Sequence, residues 1–77
     1  MTTFNVLSPD GISIEMDAEY KSKKLALSSL KRFIERYQRQ GYYNSSSHGR
    51  IPVEMIICYC KLQKFKNGEL ISTEDLD

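Results

Sequence analysis

The sequence predicts a small α+β domain, and three stretches predict it. Residues 22–40 carry apolar side chains at helical spacing, residues 3–7 and 12–16 alternate apolar and polar around a turn, and residues 51–65 form a mixed apolar run. The expected order is ββααβ. An N-terminal antiparallel β-hairpin packs on one long amphipathic helix, and a short helix and a C-terminal strand follow. The alternative is ββαββ.

In the first stretch Phe4 and Val6 alternate with Thr3 and Asn5. Ser8-Pro9-Asp10-Gly11 is a turn with a mechanism, because proline pre-sets the dihedral at the second position and glycine suits the fourth. Ile12, Ile14 and Met16 then alternate with Ser13, Glu15 and Asp17, which is the pattern of a half-buried strand. An isolated hairpin is marginal in water, so these two strands need a surface to pack on. The long helix offers it. Ala26, Leu27, Leu30, Phe33, Ile34 and Tyr37 recur at threes and fours. They fill a sector roughly 120° wide centred near Leu30. Ser22 stands at the N-cap, where its hydroxyl can accept from an orphan amide. Gly41 stands at C′, where the left-handed conformation closes a helix.

Tyr42 and Tyr43 lead into residues 44–50, which are polar and small and read as a loop. Pro52 fits the first turn of a helix, and Val53, Ile56, Ile57 and Cys60 fall on one helical face. Val53, Met55, Ile57 and Tyr59 also alternate, so a single strand competes with a short helix over residues 52–59. The helix is the reading adopted, followed by a strand over 61–65. Asn67-Gly68 is a hairpin signal that favours the competing reading. Residues 1–71 are expected to form one domain, and the acidic residues 72–77 a frayed tail.

A chain of 77 residues buries only about 60% of its unfolded surface, which leaves little room for a deep cleft. No apolar run approaches the ~20 residues that cross a bilayer, and the first residues lack a signal-peptide pattern. The expected compartment is the cytoplasm, with Cys58 and Cys60 as buried reduced thiols. His48 is the single histidine, so no zinc set is spelled out, and no metal or cofactor is expected. The net charge of +1 hides a polarised chain. All eleven cations lie within residues 21–66 with only Glu35 and Glu54 as acids, a net of +9 between two acidic ends.

Gln40-Gly41-Tyr42-Tyr43, Gly49-Arg50-Ile51-Pro52 and Cys60 together resemble small bacterial and phage proteins that carry a QGYY…GRIP…C segment. The resemblance implies a shared small fold over residues 4–65. It carries over no activity and no site residue.

Catalytic spacing is missing from the chain. No P-loop, dinucleotide glycine fingerprint or HExxH occurs, and nothing in the spacing sets His48 against a thiol. The expected function is therefore a non-enzymatic binding module that contacts a larger protein, as an accessory or inhibitory factor. The surface would comprise Lys24, Leu25, Lys31, Arg32, Arg36 and Arg39 on the outward helix face, with Tyr42 and Tyr43 beside it. The alternative partner is a nucleic acid, whose phosphates the same cations would neutralise. A homo-oligomer is compatible with either. No membrane association is expected.

Overall fold

A computed structural model describes residues 1–15 and 19–76. The fold is α+β, with two helices and five strands in two antiparallel sheets among the described residues. The order is β1 (Thr2–Leu7), α1 (Lys23–Glu35), β2 (Tyr42–Ser45), β3 (Gly49–Pro52), a 3₁₀ turn (Val53–Met55), α2 (Ile56–Tyr59), β4 (Lys61–Lys66) and β5 (Glu69–Asp75). The expected class holds, as do the N-terminal strand, the long helix, the short helix and the strand after it.

Three strands, ordered β1-β4-β5, form the main sheet. In β1 and β4, Val6 pairs with Leu62, and both are buried against α1. Ala26, Leu30 and Phe33 come down from the helix to meet them, and Ile51, Ile56 and Cys60 close the core from the later elements. Ser22 caps α1 as expected, its Oγ accepting from the Leu25 amide at 3.2 Å. Asn67 and Gly68 both take positive φ, 53° and 84°, which matches the twist of a tight β4–β5 hairpin.

Four expectations need correction. First, the ladder partner of β1 is β4 rather than residues 12–16. The chain does double back after Gly11, with the Gly11 amide bonded to Ser8 O at 2.9 Å, but among the described residues it meets β1 at isolated bridges, Leu7–Ser13 and Phe4–Tyr20. These bridges are out of register by four residues, so no regular ladder joins them. Met16 and Asp17, placed in that strand by their alternation, lie outside the described residues. Second, α1 stops at Glu35. Residues 36–38 bond three positions back, Arg36 N to Phe33 O and Tyr37 N to Ile34 O, in the tighter 3₁₀ manner. Gly41 then closes the turn at φ 84°, its amide on Tyr37 O at 2.8 Å. Third, residues 44–50 are not a loop throughout. They contribute to the β2–β3 hairpin, in which Tyr43 pairs with Ile51 and Ser45 with Gly49. Fourth, residues 72–75 are not frayed, because β5 pairs with β4 as far as Asp75–Lys61. All seven residues of β5 are exposed, so its order comes from the ladder and from two ion pairs. These are Lys61–Asp75 at 2.7 Å and Lys23–Glu74 at 3.3 Å. Each is exposed, and such pairs contribute about 0–1 kcal/mol.

Candidate functional site

The helix α1 presents two different faces to the outside. On one flank Leu27, Leu30, Ile34 and, from α2, Ile57 line a predominantly apolar groove of about 310 Å³, bordered by Lys31, Glu35 and Gln38. Leu27 and Ile57 are each 37% exposed, which leaves apolar rims on both walls. Lys24 stands seven positions before Lys31, so the two lysines lie in one row along that border. On the other flank Leu25, Ser28, Ser29 and Arg32 face Tyr20, Lys21, Glu15 and Glu19 across a second groove of about 320 Å³, this one of mixed charge. There the Arg32 guanidinium donates to Ser29 Oγ at 2.9 Å.

The residues singled out from sequence therefore divide. Lys31 borders the apolar groove and Lys24 stands two turns before it in the same helical row, whereas Leu25, 53% exposed, and Arg32 belong to the mixed-charge groove. Arg36, at the C-cap, and Arg39 are exposed at the far end of the helix. The two tyrosines do not extend the surface as expected. Tyr43 turns inward, 5.8 Å from the Phe33 ring and 5.0 Å from Tyr37, in a cluster completed by Phe33–Tyr37 at 5.4 Å. Tyr42 is half-buried beneath the Arg50 guanidinium, 4.6 Å from its ring centre.

Periodicity puts Leu27 and Ile34 on the apolar stripe of the long helix and Ile57 on one face of the short one, and the structure leaves all three lining a groove. The signal that separates them was present. Leu27 and Ile34 repeat at seven on the edge of the stripe, beside the lysines that repeat at seven. A narrow three-stranded sheet covers only part of a stripe ~120° wide.

Sequence also gave no role to Asp10 beyond its turn. Its carboxylate receives the Ser45 hydroxyl and, at 3.1 Å, the Ser47 amide on one oxygen, and the Tyr43 hydroxyl at 3.1 Å on the other. Ser45 Oγ in turn accepts from the Ser47 and His48 amides, so this buried serine organises the β2–β3 turn. The first turn of the chain is thereby tied to the hairpin that follows α1. The Ser45 hydroxyl, helped by the Ser47 amide and the Tyr43 hydroxyl, holds the Asp10 carboxyl down at about 2 against the opposing desolvation. A depressed carboxylate stabilises the fold above its ordinary range, and that contribution is lost as pH falls toward the folded value. Asp10→Asn should therefore melt below the wild type at neutral pH. The gap in melting temperature should close between about pH 4 and pH 2. A gap independent of pH would show that the charge of Asp10 is not what ties the two turns.

The thiol and imidazole are also placed. Cys60 lies fully in the core, and burial pushes its thiol up to about 11. The His48 ring packs on Tyr59 at 4.9 Å. Among the described residues no cluster of three His, Cys, Asp or Glu side chains could hold a metal ion, and no helix is long and apolar enough to cross a membrane. A further concavity of about 390 Å³ opens near Asn5, Ser13 and Phe65, but the Asn5 amide is already bonded to Ser13 and Gln63. In comparisons with family models, curated proteins and solved structures, the chain matches none.

Proposed function

We propose that this chain is a cytoplasmic, non-enzymatic binding module that docks on a larger protein through the exposed flank of α1, as an accessory or inhibitory factor. The observation that carries this reading is the apolar groove of Leu27, Leu30, Ile34 and Ile57 with the polar border of Lys31, Glu35 and Gln38. An apolar strip beside a charged rim is the ordinary composition of a protein–protein contact. The acidic strand β5 supports it by engaging Lys23 and Lys61, while no ion pair engages Lys24, Lys31, Arg36 or Arg39 among the described residues. The position of the Cys60 thiol, inside the core, supports a role without nucleophilic chemistry.

Nucleic-acid binding through Lys31, Arg32 and Arg36 is the second reading, because a row of cations could neutralise phosphates. Two features weigh against it. Glu35 and Leu25 interrupt the row, and Glu15 and Glu19 share the groove of Arg32. The triple reversal of Lys31, Arg32 and Arg36 to Glu separates the readings. Wild-type protein should show negligible affinity for generic DNA or RNA at physiological salt, and its captured protein partner should survive nuclease. The reversal should weaken that capture through the lost Lys31 contact at the groove border and lost steering by the neighbouring arginines. Salt-sensitive binding to generic nucleic acid tighter than roughly micromolar at physiological salt would overturn the proposal.

A further inference from the structure

Resting on that reading, we infer that the groove between α1 and α2 receives an amphipathic helix whose flank carries acidic residues. The argument begins with spacing. Leu27, Leu30 and Ile34 follow one another at three and four, and Lys24, Lys31 and Gln38 follow at seven along their outer side. This is the a, d and e pattern of a helix seam, and the fourth wall, Ile57, is supplied by α2. Apolar anchors at i, i+3 and i+7 match an opposing helix laid along α1 rather than an extended strand, whose side chains alternate.

Charge then selects the occupant. A helix seated on this seam places its own flank against Lys24 and Lys31, and glutamates there would meet both. Glu35 lies one turn beyond Lys31, so the acidic part of the guest belongs over the first two-thirds of α1. A second copy of this chain fits poorly. Two α1 helices packed antiparallel through the seam would set Lys24 and Lys31 against the same two lysines. Packed parallel, they would need Ala26 and Phe33 at the opposite flank, and these are buried in the chain's own core.

The test uses a fluorescently labelled helical peptide of about 16 residues, which outreaches α1 at ~1.5 Å per residue. One version carries leucines on its apolar face and glutamates on its flank, and a second replaces the glutamates with lysines. The intact chain should bind the glutamate peptide at least about tenfold more tightly than the lysine peptide, and added salt should narrow the difference. Amide shifts on titration should centre on Leu27, Lys31, Ile34 and Ile57. Lys24→Glu with Lys31→Glu should invert the preference. Ile57→Ser, at a partly exposed site, should weaken the glutamate peptide about tenfold while its melting curve stays close to wild type. Ile71→Ser, at an exposed position of β5, should change nothing.

Equal affinity for the two peptides, binding of neither, shifts centred on Leu25 and Arg32, or a dimer formed through α1 would each overturn the inference. Its failure is distinguishable from failure of the broader reading. A nuclease-resistant protein partner that the glutamate peptide does not displace removes only the helical guest. Loss of all partners to nuclease removes the protein-binding reading itself.

Discussion

Leu30→Ala is expected to lower the stability of the fold by about 2–5 kcal/mol, read as a shift of the urea midpoint at unchanged slope. Leu30 is 2% exposed and belongs to the same core cluster as Val6, Ile56 and Leu62. Deleting its side chain removes transfer energy and leaves a void under the centre of α1. At roughly 0.05–0.15 kcal/mol per residue a chain of this length has little stability in reserve, so the void removes a large part of it. The informative companion is Leu27→Ala. Both leucines lie on the same apolar stripe, yet Leu27 is 37% exposed at the groove rim and should lose well under half as much. Equal losses would mean that Leu27 is buried after all, and the groove would then have no apolar rim on its α1 side.

That contrast also shows where reading from sequence stops. Ser22 and Asn67-Gly68 are legible because caps and tight turns depend on a few neighbouring residues, whatever the rest of the chain does, and Gly41 takes its left-handed conformation beyond the C-cap, Arg36, that actually ends α1. The pairing of β1 is not legible. Alternation of Phe4 and Val6 specifies which face is buried but not which strand lies alongside, and β4 is about sixty residues away in sequence. The stretch 44–50 looks like a loop in sequence for a related reason. Serine, asparagine and glycine are weak strand formers, and the hairpin they join is held by contacts from elsewhere, Tyr43 in the Phe33 cluster and Ser45 on Asp10. β5 has no buried residue and so no burial pattern to detect.

The candidate site divides in the same way. Lys24 and Lys31 were visible as outward cations because helical period alone assigns them a side. The exposure of Leu27 and Ile34 depends on how far the sheet reaches across the helix, which no local pattern encodes. Ile57 reaches the groove only because the 3₁₀ turn and α2 fold back beside α1.

Phe33→Ala is the second large effect, expected to cost about 3–5 kcal/mol. Phe33 is buried at the last full turn of α1, and its ring meets both Tyr37, just after the helix, and Tyr43 on β2. It therefore joins three pieces of chain at one ring cluster. The mutation should also reduce the near-ultraviolet circular dichroism of the tyrosines, since their rings lose a fixed neighbour. Part of the loss is simple burial, and a double-mutant cycle separates the rest. Phe33→Leu and Tyr43→Leu keep apolar bulk while removing the ring pair, and their combination should recover about 0.5–1.5 kcal/mol of coupling. Tyr43→Phe isolates the other contribution, because it keeps the ring and deletes only the hydroxyl bonded to Asp10. Additive leucine mutants together with a damaging Tyr43→Phe would mean that the hydroxyl, and not the stacked rings, fastens the β2–β3 hairpin to the helix. Coupled leucine mutants with a mild Tyr43→Phe would assign that role to the aromatic cluster. The tilted and edge-on ring geometries, at 52° and 81° for the two contacts of Tyr43, favour this second outcome.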